Sequence, residues 1–153
     1  MSASLHTAPQ TTLPRKPLGR TGLQLSIVSA GGWLGQLVDP AKIGTGNFGS
    51  VTDDRAARDA AAEAAVRRAI ELGINYFDTA PMYGGGEAER LLGVGLHALT
   101  PAERQGLFVS SKVGAHPERP KGYDRDSILW SLERSLQKLY TDHLDIIYIH
   151  DPE

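Results

Sequence analysis

The sequence predicts an α/β fold in which a parallel β-sheet is covered by helices. Three observations lead there. Short, nearly continuous apolar segments recur along the chain, as expected of strands buried on both faces. Amphipathic segments with apolar residues at helical spacing separate them. Glycine or short polar residues mark most of the junctions. The order is strand, helix, strand, helix, strand, helix, strand. Two architectures fit that order, an open doubly wound sheet and a (β/α) barrel.

Residues 1–14 are rich in Ser, Thr and Pro and are expected to form a disordered tail, with the folded unit at 15–153. They lack the apolar core of a secretory signal, and no Arg precedes Arg15, which argues against a transit peptide. Lys16-Pro-Leu-Gly-Arg-Thr-Gly22 carries turn chemistry between Leu18 on one side and Leu23 and Leu25 on the other, so a β-hairpin is expected. Leu25 to Ala30 then reads as the first buried strand, stopped by Gly31 and Gly32. The turn that follows, Gly31-Gly32-Trp33-Leu34-Gly35, does not give G-x-G-x-x-G, and an aperiodic glycine-rich stretch follows it up to Ser50. A long loop in place of a helix weakens the dinucleotide-binding alternative.

Thr52 to Asp54 supply capping side chains for a first helix with an apolar stripe of Ala61, Ala65, Val66, Ala69 and Ile70. Gly73 ends it. Asn75 to Phe77 is a short strand, and a second helix runs from about Glu87 to His97 with Leu91, Leu92, Val94 and Leu96. Leu107 to Val109 leads through Ser110 and Ser111 to Lys112. A third helix, about Ser127 to Leu139, places Ile128, Leu132, Leu136 and Leu139 on one face, capped by Asp124 or Asp126. Leu144 to Ile149 is the last strand and ends on His150.

The 153 residues are 41% hydrophobic, with a net charge of −2 and no Cys. That balance argues against nucleic acid or an anionic membrane as partner, since both favour a dense Lys/Arg surface. The lack of Cys excludes disulfides, thiolate nucleophiles and Cys-bound zinc, and fits a reducing cytoplasm. No apolar run approaches the roughly 20 residues of a membrane span. His6, His97, His116 and His143 show no metal-ligand spacing, and no metal is expected.

Parallel strands deliver their C-terminal ends to one face, and three of these strands end on ionisable residues: Asp78, Lys112 and His150. Tyr83 lies on the loop after the first of them. Taken singly, each has an ordinary explanation: a strand-end Asp caps a helix, a Lys is solvated, and a lone His is structural. Together they form a constellation suited to proton exchange at a carbonyl or hydroxyl oxygen. A phenol with its ordinary pKa of about 10 is a poor acid–base group at neutral pH. A neighbouring ammonium favours its anion and corrects that mismatch. Asp78 can pair with Lys112, and His150 can donate to a substrate oxygen. None of these groups accepts a hydride, so redox chemistry here requires a nicotinamide.

Asp78-Thr-Ala80, Tyr83-Gly84, Glu89-Arg-Leu-Leu-Gly93, Ser111-Lys112 and Tyr148-Ile-His150 resemble the aldo-keto reductase family. Leu18-Gly-Arg-Thr-Gly22 resembles the hairpin that plugs the bottom of that family's barrel. The resemblance runs from Lys16 to Glu153. It implies an NAD(P)-dependent oxidoreductase with Tyr83 as general acid/base, Lys112 and Asp78 as its tuning pair and His150 orienting the substrate. It places Asp78, Gly31, Gly32 and Trp33 near the cofactor, NAD(P)(H). Gly84-Gly-Gly-Glu-Ala88, and Asp151-Pro152 after His150, resemble the branch of aldose, fucose and galactose 1-dehydrogenases and pyridoxal 4-dehydrogenase. The implied substrate is a small carbonyl compound, alcohol or sugar hemiacetal. A non-catalytic regulatory subunit of the same family, or an inactive fragment, is the alternative.

A complete (β/α)8 barrel takes about 250 residues and eight strand–helix units. The four strands expected here make the N-terminal half of such a barrel, preceded by a β-hairpin. Its outer strands are expected to be unpaired edges. Weak nicotinamide binding is expected of the chain by itself. Gly84-Gly85-Gly86 before a helix can cradle phosphate, but reads more simply as the means by which the Tyr83 loop turns. Trp130 reads as packing.

Overall fold

The computed structural model describes residues 13–32 and 54–152. Most of the expected tail, the glycine-rich loop up to Ser50, and Trp33 lie outside the described residues. Two antiparallel strands, β1 (Arg15–Pro17) and β2 (Gln24–Ser26), form the N-terminal hairpin, with Arg15 opposite Ser26 and Pro17 opposite Gln24. Thr21 Oγ1 donates to the Leu18 carbonyl at 2.7 Å and tightens its turn.

The expected strand Leu25 to Ala30 is corrected. Leu25 and Ser26 belong to the hairpin, and only β3 (Ala30–Gly31) joins the parallel sheet. The cause is Asn75, which is 2% exposed. Its amide donates to the Gln24 carbonyl at 2.9 Å, and its Oδ1 accepts the Ser26 N–H at 2.7 Å. That latch fixes β2 across the entrance of the strand beginning at Tyr76, so the chain bends before it can pair. Ile27 and Val28 are left exposed.

Helix α1 (Arg55–Glu71) starts where Asp54 Oδ1 accepts the Ala56 and Ala57 N–H groups. It buries Ala62, Val66 and Ala69, while Ala61, Ala65 and Ile70 are half-buried. Gly73, at φ +87, turns the chain out of the helix. Then follow β4 (Tyr76–Asp78), a 3-10 turn (Tyr83–Gly86) and α2 (Glu87–His97). A one-turn helix α3 (Pro101–Arg104), closed by a Thr100/Glu103 capping box, leads to β5 (Phe108–Val113). Helix α4 (Arg125–Lys138), capped by Asp124, leads to β6 (Ile146–Ile149).

The sheet order is β3-β4-β5-β6, all parallel. A doubly wound sheet reverses its strand order at a switch point. This one adds each new strand beside the last, as a barrel does. The described chain is half of a (β/α)8 barrel. Its core lies between sheet and helices, where Phe77, Val109, Leu92, Leu96, Val66 and Leu139 pack together. Leu91 and Leu92 of α2 are within 2% of full burial. Each such side chain contributes roughly 1.5–3 kcal/mol.

Helix α4 departs from its periodicity. Leu139 is buried, but Ile128, Leu132 and Leu136 are only half-buried, and the face turned inward is Ser127, Ser131 and Ser135. At its C-terminal end the helix packs closely on α2. A Cβ placed on Gly93 would stand 2.4 Å from the Lys138 carbonyl oxygen. On the other side, a Cβ on Gly95 would meet Val66 Cγ2 at 2.5 Å. These two glycines let α2 touch both of its neighbours. At the edge of the sheet, Ile147, Tyr148 and Ile149 are exposed, as expected of an outer strand.

Candidate active site

Side chains alternate across a strand, so residues two apart share a face. In β4 those are Tyr76 and Asp78, and in β5 Ser110 and Lys112. Tyr148 and then His150 follow in line with β6. Parallel register sets Asp78 beside Ser110 and Lys112 beside Tyr148. The opposite face, Phe77, Val109, Ser111 and Val113, is buried under the helices. The polar set therefore lies on the face that a closed barrel turns inward, at the C-terminal end.

Lys112 Nζ donates to Asp78 Oδ2 at 2.9 Å and to the Thr79 carbonyl at 2.8 Å. Asp78 Oδ1 accepts a 2.6 Å bond from Ser110 Oγ. Both Asp78 and Lys112 are largely sheltered, with 28% and 13% of their side chains exposed. An ion pair in such a position is screened less than a surface pair.

Tyr83 returns to this pair through a turn in which its N–H donates to the Ala80 carbonyl at 3.1 Å, and Gly84, Gly85 and Gly86, all at positive φ between 61 and 93°, carry the chain on from it. A side chain at those angles is strained, and glycine is not. The three glycines thus turn the loop and start α2. The Tyr83 ring centroid lies 4.7 Å from Lys112 Nζ. His150 meets the same ring edge-on, with centroids 5.9 Å apart and planes at 86°. Its backbone is held by His150 N–H to the Val113 carbonyl at 2.9 Å, and its own carbonyl accepts from Tyr123 OH at 2.8 Å. The same Tyr123 hydroxyl hydrogen is shared with the Asp151 carbonyl. The buried His150 Nδ1 has no partner among the described residues.

Asp78, Tyr83, Lys112 and His150 thus come together. Gly31 and Gly32 border them. The Gly32 N–H donates to the Asp78 carbonyl at 2.9 Å, and a Cβ on Gly31 would stand 2.9 Å from that same oxygen. A Cβ on Gly32 would lie 3.7 Å from the edge of Tyr83, so glycine leaves open the space between them.

Four neighbours are not among the site residues expected from the sequence: Ser110, Tyr76, Tyr148 and Ser29. With Asp78 and Lys112, Tyr76, Tyr148 and Ser29 line a hollow of about 250 Å³. Only the two-residue spacing from Asp78 and Lys112 could have marked Tyr76 and Ser110. Burial, with the Asp78 charge as a smaller contribution, pushes the Tyr76 phenol well above its ordinary range.

On the reverse side of β5, Glu89 is fully buried and Ser111 Oγ donates to its Oε1 at 2.6 Å. Burial pushes the Glu89 carboxyl above the ordinary carboxylate range, partly offset by the Ser111 bond and the Lys138 and Lys112 charges.

The model of the aldo/keto reductase family matches residues 42–153. L-galactose dehydrogenase of Arabidopsis thaliana is 38% identical over 146 residues, covering 94% of this chain and 40% of that protein. A probable voltage-gated potassium channel subunit beta of Oryza sativa subsp. japonica is 31% identical over 140 residues, covering 90% of this chain and 37% of that one. Among solved structures, an aldo-keto reductase of Pseudomonas aeruginosa superimposes with a TM-score of 0.64 at 30% identity, covering 95% of this chain and 50% of that one. A thermostable aldo-keto reductase gives 0.67 at 33% identity, with 92% and 44% covered. The chain spans about two fifths of the length of these curated relatives.

Proposed function

The chain belongs to the aldo/keto reductase family, and from that premise we propose that it carries the acid–base half of an NAD(P)-dependent oxidoreductase site. The observation behind this reading is the Lys112 ammonium, which lies between the Asp78 carboxylate and the Tyr83 ring. Tyr83 gives its proton to the oxygen of a carbonyl as it becomes an alcohol, and takes it back in the reverse direction. Lys112 stabilises the phenolate left behind. Asp78 holds Lys112 in place and balances its charge. His150, standing across the Tyr83 ring, orients the substrate oxygen.

The residues fit a nicotinamide cofactor. Gly32, without a side chain, leaves room next to Tyr83, while Gly31 lets its strand run close against the Asp78 carbonyl. Gly31, Gly32 and Asp78 are the cofactor-binding residues in this reading, with Trp33, which lies outside the described residues, carried over from the sequence as an expectation. When bound, the cofactor supplies or takes up the hydride. The likeness to L-galactose dehydrogenase favours a sugar hemiacetal, oxidised to a lactone, over a simple aldehyde.

A second reading rests on the likeness to potassium channel beta subunits. In it, the same half-barrel serves a subunit whose role is assembly. Tyr83→Phe in the protein that carries this chain separates the two. Turnover should fall by about 10²–10⁴-fold, with NAD(P)H binding followed by fluorescence unchanged. An unaltered rate would remove Tyr83 from the chemistry. Absence of any NAD(P)-dependent turnover of aldoses, aldehydes or alcohols by the unmodified protein would favour the assembly reading.

A further inference from the structure

Asp78 is held from two sides, and only the Lys112 side belongs to the reading above. On the other, Ser110 Oγ lies 2.6 Å from Asp78 Oδ1, Tyr76 OH 2.8 Å from Ser110 Oγ, and Tyr148 OH 3.1 Å from Tyr76 OH. The four side chains come from three neighbouring strands, all on the inward face.

The direction of each bond follows from counting hydrogens. An ionised carboxylate paired with Lys112 can only accept. Ser110 has one hydroxyl hydrogen and spends it on Asp78, so its oxygen must accept from Tyr76. Tyr76 in turn has one hydrogen, so its oxygen must accept from Tyr148. Ser110 is fully buried, with no water to take over either bond. Burial also keeps Tyr76 in its protonated, donating form.

We propose that Tyr148, Tyr76 and Ser110 form a one-way hydrogen-bond chain ending on Asp78, and that they are positioning residues which aim its carboxylate at Lys112. Each donor polarises the next, so the bond reaching Asp78 is stronger than a lone serine would give. No proton passes along the chain. Its effect is to fix the Asp78 rotamer, and with it Lys112 beside Tyr83. The inference rests on Tyr83, Lys112 and Asp78 acting together in proton transfer.

The test uses Tyr148→Phe, Tyr76→Phe and Ser110→Ala, with Ser110→Thr as the conservative rescue and Tyr83→Phe as the control. The first readout needs no activity. In protein labelled with ¹³C at tyrosine Cζ, the Tyr76 signal reports the bonds its phenol makes. It should shift in Tyr148→Phe and in Ser110→Ala, and stay in place in Tyr83→Phe. The second readout is kcat and its pH profile, with NAD+ or NADP+ and a saturating aldose, or NADH or NADPH and a saturating aldehyde. Ser110→Ala should lower kcat by about tenfold to a hundredfold and displace a limb of the profile, with the coenzyme KM within about twofold. Tyr76→Phe and Tyr148→Phe should follow with successively smaller losses, and Ser110→Thr should recover most of the rate. A Tyr76 signal indifferent to both neighbours overturns the chain itself. A signal that moves while the rate and pH profile of Ser110→Ala and Tyr76→Phe match the unmodified protein overturns its positioning role. Full activity in Tyr83→Phe would place the fault in the proton-transfer reading, and the positioning role would fall with it.

Discussion

Lys112 and Asp78 sit on adjacent parallel strands and meet at 2.9 Å, and the same ammonium donates to the Thr79 carbonyl at 2.8 Å. Two bonds in different directions leave the lysine little freedom. That geometry is why its charge stays beside the Tyr83 ring and does not drift into solvent.

Lys112→Met should therefore lower kcat/KM by at least about 10²-fold. Stability should fall by about 1–3 kcal/mol, because Asp78 and the Thr79 carbonyl lose a sheltered partner. Steady-state kinetics and urea unfolding read the two effects separately. Lys112→Arg should not restore the rate, since a planar guanidinium cannot make the same pair of bonds from that stem.

Glu89 gives a pH prediction. Its folded carboxyl lies above the ordinary value of 4.5, so the folded state holds a proton that the unfolded state releases first. The associated stability is fully present below pH 4.5 and is lost as pH rises toward the folded value. Glu89→Gln keeps an acceptor for Ser111 and carries no charge. As pH rises from 4.5 toward the folded value, the urea midpoint of the variant should gain on that of the unmodified protein. A gap that narrows with rising pH would contradict this.

Gly93 and Gly85 are predicted to fail for different reasons. Gly93→Ala drives a methyl into the Lys138 backbone at 2.4 Å and should destabilise by about 1–3 kcal/mol or more, as overpacking does. Gly85 faces open space but sits at φ +65, so Gly85→Ala should cost only about 1–2 kcal/mol of backbone strain. Gly85→Asn should recover part of that loss, because Asn tolerates the left-handed region, whereas Gly93→Asn should recover nothing. Thermal melts of the four variants test the distinction.

Asn75→Ala should unlatch the hairpin. The buried Ser26 N–H and the Gln24 carbonyl would lose their partner, at about 1–3 kcal/mol. Amide hydrogen exchange should quicken at Ser26 and its β1 neighbours while the β5 amides stay protected. Uniform loss of protection would show instead that the hairpin and the sheet open together.

Several features are legible in the sequence because each depends on local chemistry. Asp54 and Asp124 announce helix starts through short acceptors, and Gly73 announces a helix end through its freedom at positive φ. Asp78, Lys112 and His150 could be grouped because parallel topology alone sends strand ends to one rim. Leu25–Ala30 misled because Asn75, 49 positions from Ser26, takes over part of that segment. Serine in a helix reads as solvent-facing, so the inner face of α4 gave no signal.

The sequence by itself determined the alternation of strands and helices, the hairpin, and which four side chains reach the rim. Those follow from periodicity and turn chemistry, which act within a few residues. Only the tertiary structure decided that α4 turns serines inward, that Glu89 backs Ser111, and that Tyr148, Tyr76 and Ser110 converge on Asp78. Each of these depends on strand register or on how closely two helices approach. Both are set by packing between segments some 20 to 70 residues apart, a relation that no local pattern encodes.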